Sequence, residues 1–369
     1  MKKLAIIGAS YLQEPLVKKA KQMGIETHCF AWADGATCKD IADFFYPVSI
    51  LEKEQILEKC KEIGIDGITS IASDAAVPTI CYVAEHLNLI SNSYSGALIA
   101  TNKFLMRQRF TEYNVSSPLF AIAQDGFAGD NFRFPVIVKP TDRSGSRGVM
   151  KVEKKEDLLS AIERAKQEAF SKQAIVEEFV TGWEISVETI SWKGKHYILT
   201  LTDKVTTGEP YFVELEHHQP SQLSAEIQQK VRAEVTKALD ALEVHYGASH
   251  TELKITDSGE VFMIEVGARM GGDFIGSDLT QLSTGYDFVK GVIDVALGTF
   301  EEPSFAEPKY SGVYFLCKET ENVLSMIKNA AQYKEIVASE ITDENLRNIQ
   351  NSADRSGYFI YQSDKKMTI

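Results

Sequence analysis

Over the first hundred residues, short apolar runs alternate with segments of helical period. Residues 4–8, 25–30 and 68–72 predict buried strands, and residues 14–23, 54–63 and 77–86 predict helices. Such alternation predicts an α/β unit with a parallel sheet and crossover helices. Past residue 100 the pattern changes. Residues 134–139 and 149–152 predict strands joined by a Gly/Ser loop, with a helix over 155–168 and a strand over 174–179. Hairpins follow at 185–190 with 196–203, turning at Lys193-Gly194, and at 251–256 with 261–266, on either side of a helix over 225–242. Antiparallel strands beside helices predict α+β architecture, and the acidic, Pro-containing stretch 301–308 predicts a boundary before a small C-terminal module.

Composition narrows the function classes. The 369 residues carry 39 Lys plus Arg against 52 Asp plus Glu, a net charge of −13, which argues against binding a phosphate backbone. No apolar run approaches the roughly 20 residues of a membrane span, and Met1-Lys2-Lys3 leads straight into a strand without a signal-peptide core, so a cytoplasmic protein with no membrane or nucleic-acid partner is expected. The five cysteines are widely spaced and predict buried free thiols.

The hairpin at 251–266 suggests chemistry. A two-residue loop centred on Ser258-Gly259 pairs Glu252 with Glu265, Lys254 with Met263 and Thr256 with Val261 on one face, leaving Leu253, Ile255, Phe262, Ile264 and Val266 for the core face. Opposed acids destabilise a sheet unless something compensates, and a divalent cation is one solution; the other reading is a solvated surface pair, or a register one residue off. The following Gly267-Ala268-Arg269-Met270-Gly271-Gly272 adds a fixed cation and three glycines that suit backbone approach to an anion. Upstream, Lys139 ends a strand before Ser144-Gly145-Ser146-Arg147-Gly148. A Gly/Ser loop alone is a plain turn more often than a phosphate cradle, and the adjacent lysine favours the cradle. The order of a Walker A loop is absent, and Gly8-Ala9-Ser10 lacks the dinucleotide fingerprint, although Ala31-Trp32-Ala33 and Ser73-Asp74 stand at strand ends where ligands bind.

Taken in order, Asn102-Lys103, the strand ending in Lys139 with its Gly/Ser loop, Val176-Glu177-Glu178-Phe179-Val180, Glu184-Ile185-Ser186-Val187-Glu188 and Glu265-Val266-Gly267-Ala268-Arg269 resemble the ATP-grasp superfamily, in particular its carboxylate–amine ligases and the carbamoyl phosphate synthase and biotin carboxylase relatives. The resemblance implies a Rossmann-like α/β domain over 1–102, a two-lobed ATP-grasp α+β fold with a lid over 103–182 and a metal-bearing lobe over 183–302, and a C-terminal α+β module over 303–369. It implies ATP with Mg²⁺, or Mn²⁺ in its place. Lys103 and Lys139 resemble the phosphate-contacting lysines, and Ser144, Gly145, Ser146 and Gly148 the flap over the triphosphate. Glu177 matches the acid near the adenine amino group, Glu178 and Val180 the linker that reads the adenine edge, and Glu184 the group on the ribose. Glu252 and Glu265 resemble the metal carboxylates, and Arg269 the arginine that steadies the reacting phosphate or carboxylate, with Lys139 beside it in the catalytic set.

Many relatives carry Asn two residues after the second acid; here Gly267 stands there, and a water or Asp273 is the expected substitute. The implied reaction activates a small carboxylate, an amino acid by preference, as an acyl phosphate for attack by an amine, releasing ADP and phosphate, in a cytoplasmic monomer or homodimer. Alternatives are a bicarbonate-using carboxylase or carbamoyl phosphate synthase-like enzyme, and a non-catalytic ATP-binding sensor. A zinc site at His217, His218 and His250 with Glu214, Glu216 and Glu252 is disfavoured, since adjacent histidines on a strand point to opposite faces and no H-E-x-x-H helix exists.

Overall fold

In the computed structural model, which describes residues 1–124 and 126–369, three sheets divide the chain. The first has four parallel strands in the order Phe44–Tyr46, Glu26–Phe30, Lys3–Ile7 and Gly67–Thr69. The middle strand is apolar on both sides because helices cover both faces: Leu4 and Ile6 pack in one cluster, Ala5 and Ile7 in another. The strand expected to reach Ala72 stops at Thr69. There the chain turns away to meet the loop after the second acid, where Ala72 takes a left-handed conformation (φ 56°) and its N–H donates to Met270 O.

The second sheet, antiparallel, runs Phe120–Ile122, Ala174–Glu178, Val136–Pro140, Met150–Val152. Helix Leu158–Glu168 lays Leu158, Ala161, Ile162 and Ala165 onto Val136, Val138 and Val176. The third sheet has eight strands: Val261–Gly267, Gly247–Ile255, Trp183–Trp192, Lys195–Thr206, Glu214–Gln219, Tyr310–Leu316, Gly357–Ser363 and Ile336–Ile341. Its last three strands come from residues 303–369, so the C-terminal module extends this sheet. Helix Ala225–Ala241, N-capped by Ser224, packs Val231, Val235, Ala238 and Leu239 against Ile185, Val187, Leu253 and Met263. All five cysteines are buried and free. Among the described residues no helix is long and apolar enough to cross a membrane.

The hairpin register departs from expectation. Its turn holds three residues, closed by Thr256 N–H to Glu260 O with Gly259 left-handed at φ 78°. That shift pairs Leu253 with Met263, Lys254 with Phe262 and Ile255 with Val261. A β-bulge between Glu252 and Leu253 on one side and Met263 to Glu265 on the other then restores Glu252 opposite Glu265. The expected acid pair exists, and Leu253, Ile255 and Val266 lie in the core as expected, but residues 261–264 have exchanged faces. Met263 and Val261 enter the core, while Ile264 turns to the cleft. A one-residue slip exchanges faces in this way.

Candidate functional site

Between the lid sheet and the edge of the large sheet lies a cleft of about 210 Å³. It is lined by Lys103, Lys139, Ser144, Gly145, Ser146, Glu177, Glu178, Val180, Glu184, Glu252, Glu265 and Arg269. Of the residues matched to the phosphate lysines, flap, nucleotide linker, metal acids and arginine, Gly148 alone lies off this lining: it stands at the base of the flap, left-handed at φ 71°, where a Cβ would come 2.9 Å from Pro140.

Helix Lys103–Glu112 delivers the first lysine. Asn102 caps it through Phe104 and Leu105 N–H, and Lys103 Nζ donates to Glu265 Oε1 and to Arg143 O in the flap, both at 2.7 Å. Lys139, at the end of its strand, is buried with Nζ 2.7 Å from Glu177 Oε2, and Arg107 Nε stands 2.9 Å from Glu177 Oε1. Burial pushes Lys139 below the usual lysine range, with Glu177 opposing the shift. Against the cost of burial, the Arg107 and Lys139 charges hold Glu177 below the usual carboxylate range.

Across the cleft, Lys204 Nζ is buried among three acids, 2.8 Å from Glu252, 3.1 Å from Glu184 and 3.4 Å from Glu214. Burial alone would lower Lys204, but these carboxylates carry it well above its ordinary value, and Glu252 is correspondingly held well below. His250 contacts Glu188 through Nδ1 and lies 3.4 Å from Glu252 through Nε2. Burial opposes its protonation, yet Glu188 and Glu252 bring it up to about 9. The opposed acids are therefore compensated by separate lysines, Glu252 by Lys204 and Glu265 by Lys103. Neither acid is left unpaired.

The loop corrects one expectation, that for Asp273, and adds a pairing at Arg269, which keeps its expected place in the cleft lining. Arg269 grips Asp74 through both ends of its fork, Nε to Oδ1 at 2.8 Å and Nη2 to Oδ2 at 2.7 Å, so the two contact each other and tie the N-terminal unit to the cleft. A Cβ at Gly267 would lie 2.7 Å from Asp74 Oδ1 and 3.0 Å from Arg269 Cζ, so this glycine makes room for the protein's own ion pair. Asp273 does not replace a metal ligand from that position: its carboxylate pairs with Arg355 at 2.7 Å, lines a second cavity and lies outside the cleft lining. His217 and His218 face opposite ways, the first toward Asp273 and Phe315, the second toward Tyr361 and Glu216.

Arg107, Lys204 and the Asp74–Arg269 pairing escaped the sequence reading. The only signal for Lys204 is a lysine in a strand whose neighbours in space, Glu184, Glu214 and Glu252, come from three other strands. For Arg107 it is a charged residue three before Phe110 on the buried stripe of its helix.

The facing carboxylates offer oxygen donors, which suit a hard divalent ion. Among the described residues no group of three or more His, Cys, Asp or Glu could hold a metal by itself. The fit is therefore to an ion that completes its shell with phosphate oxygens and water. Beyond Lys103 and Glu265 the cleft opens into a cavity of about 530 Å³, which shares Asp74, Arg143 and Ser144 and extends to Ser10, Trp32 and Ser73 at the carboxyl ends of the parallel strands.

Residues 132–278 match the model of the ATP-grasp domain family. Alanine–anticapsin ligase of Bacillus subtilis (strain 168) is 28% identical over 272 residues, covering 63% of this chain and 57% of that protein. The D-alanine–D-alanine ligase of Flavobacterium johnsoniae is 32% identical over 138 residues, 36% of this chain and 42% of that one. The chain thus spans about half the length of these curated relatives. Among solved structures, an L-amino acid ligase from Bacillus licheniformis superposes with a TM-score of 0.82 at 23% identity, covering 99% of this chain and 94% of that one. A phosphoribosylglycinamide synthetase from Anaerococcus prevotii gives 0.79 at 22%, covering 99% and 94%. At these identities the structural likeness establishes the fold.

Proposed function

We propose that this chain, whose residues 132–278 match the ATP-grasp domain family, is an ATP-grasp protein and an ADP-forming ligase joining a small carboxylate, by preference an amino acid, to an amine. The observation that carries the reading is the meeting in one cleft of Lys103, Lys139, the flap and the facing Glu252 and Glu265, opening onto a separate cavity at the strand ends. In this reading Lys103, Lys139 and the flap residues Ser144, Gly145 and Ser146 take the phosphates, with Gly148 as the flap's hinge. Glu177, Glu178 and Val180 line the adenine side, and Glu184 the ribose. Lys204 adds a cation beside the acids. A carboxylate oxygen attacks the γ-phosphorus, the bond to the β–γ bridging oxygen breaks, and ADP leaves. The amine nitrogen then attacks the acyl carbon, the carbon–oxygen bond to phosphate breaks, and the amine proton passes to solvent. Glu252 and Glu265 would hold Mg²⁺, which when bound neutralises phosphate charge. The rest is positioning and electrostatics, with no covalent enzyme intermediate.

The relatives named above as amino acid ligases support the substrate class. Purified protein is incubated with ATP, Mg²⁺ and panels of amino acids, other carboxylates, amines and bicarbonate, and products are separated. ADP release that requires an organic acid and an amine together supports the ligase. Stimulation by bicarbonate alone moves the assignment to a carboxylase, and nucleotide binding without turnover moves it to a sensor.

A further inference from the structure

Arg107 heads the largest fully buried side chains. A guanidinium keeps its charge in any protein and is costly to bury, so its surroundings should explain it. They lie on two different sheets. Nε stands 2.9 Å from Glu177 on the lid, and Nη2 donates to Ile264 O at 2.7 Å on the edge strand of the large sheet. Ile264 is the residue left over at the bulge. Just before it, Met263 N–H donates to Ser116 O at 2.8 Å, so helix Lys103–Glu112 and the segment after it hold the bulge at two points.

The bulge decides where Glu265 points. Continued without it, the register set by the turn would place Ile264 opposite Glu252 and Glu265 opposite Thr251. Thr251 is fully buried, so the second acid would leave its place facing the first. We propose that Arg107 is a positioning residue: by holding Ile264 O it fixes the bulge, and so aims Glu265 at Glu252 as a pair able to hold a divalent ion. The planar fork matters, because one guanidinium spans Glu177 and the Ile264 carbonyl, and a lysine ammonium is a single point of charge. The proposal rests on the reading of Glu252 and Glu265 as the metal acids.

The test compares Arg107→Lys, Arg107→Ala and Glu265→Gln with the unmodified chain, using Mn²⁺ affinity in the presence of ATP by electron paramagnetic resonance and nucleotide affinity in EDTA by calorimetry. Loss of an outer-shell partner typically weakens metal affinity by about 10- to 100-fold. Arg107→Lys should therefore lose Mn²⁺ affinity by roughly that factor and keep metal-free nucleotide affinity within about 2-fold. Added guanidinium, and not methylammonium, should restore Mn²⁺ affinity to Arg107→Ala. Should that variant fail to fold, Arg107→Lys carries the test by itself. Unchanged Mn²⁺ affinity in Arg107→Lys, with binding lost in Glu265→Gln, overturns the role of Arg107 and leaves the metal reading standing. Unchanged binding in Glu265→Gln overturns the metal reading and the proposal with it. Equal loss of metal and metal-free nucleotide binding in Arg107→Lys overturns the proposal by reducing Arg107 to a packing role.

Discussion

The two walls of the cleft contain buried ion clusters of opposite balance. On the lid, one acid, Glu177, lies between two cations, Lys139 and Arg107; on the large sheet, one cation, Lys204, lies among Glu184, Glu214 and Glu252. Each cluster is short of full neutralisation in a different direction. The lid wall is left with excess positive charge and the sheet wall with excess negative charge. Burial of ions is costly unless partners compensate, and an anionic ligand with a divalent cation would relieve both walls together. The difference thus separates the proposed roles: phosphate on the lid side, metal on the sheet side.

Breaking either cluster gives the largest expected effects. Lys204→Met removes the one cation that all three acids share, leaving Glu252 to His250, Glu214 to Arg355 and Glu184 to Lys254, and should cost about 3–5 kcal/mol of stability in metal-free buffer. Chemical denaturation with and without Mg²⁺ checks this, and Mg²⁺ should recover part of the loss. Glu177→Gln should cost a similar amount, on the order of 3–5 kcal/mol, with no recovery by Mg²⁺. Equal Mg²⁺ response in the two variants would erase the distinction between the walls.

Smaller changes sharpen it. Glu265→Gln should lower Mg²⁺-dependent turnover by on the order of 100-fold, the scale of losing one aligned electrostatic partner. Because Glu265 has its own lysine, relief of acid repulsion is offset by loss of the Lys103 pair, and apo stability should move by less than about 1 kcal/mol. A large fall in apo melting temperature would make Glu265 structural. Lys139→Ala should weaken ATP binding by roughly 10- to 100-fold, as for a lost charge-assisted contact; unchanged affinity by calorimetry would remove it from the phosphate side.

The smallest effect lies outside the cleft. Burial holds His217 below its ordinary value, with Asp273 opposing, and among the described residues neither ring nitrogen has a hydrogen-bond partner. A group depressed in the folded state supports stability above its unfolded pKa, about 6.5 for histidine, and that support fades as pH falls below it. His217→Gln should accordingly gain stability relative to the parent on going from pH 7 to pH 5, by on the order of 1 kcal/mol, measured as the difference in melting temperature.

Much of this arrangement is legible in the chain for identifiable reasons. The middle parallel strand, Lys3–Ile7, is apolar on both sides, and the alternation of strands with helices is plain along the first hundred residues. Lys139, the Gly/Ser flap and the acids lie in local motifs. The bulge leaves no such trace, because Val261, Phe262, Met263 and Ile264 are all apolar and either register presents an apolar face. Helix Lys103–Glu112 escaped as a helix because Lys103 and Arg107 occupy its buried stripe beside Met106 and Phe110, so hydrophobic periodicity is broken where charge is buried. The clusters around Lys204 and Glu177 depend on pairings between distant strands, which one sequence does not disclose.

Gly267 also bears on the protein's history. Adding a side chain there collides with the Asp74–Arg269 pair, while removing Asp74 first strands a half-buried arginine. A lineage passing between this state and one with Asn at 267 would meet a damaged intermediate whichever residue changed first. Positions 267 and 74 are therefore expected to show strong epistasis, with Gly267→Asn tolerated far better in an Asp74→Gly background than alone. The glycine is thus coupled sterically to a neighbour 193 positions earlier in the chain.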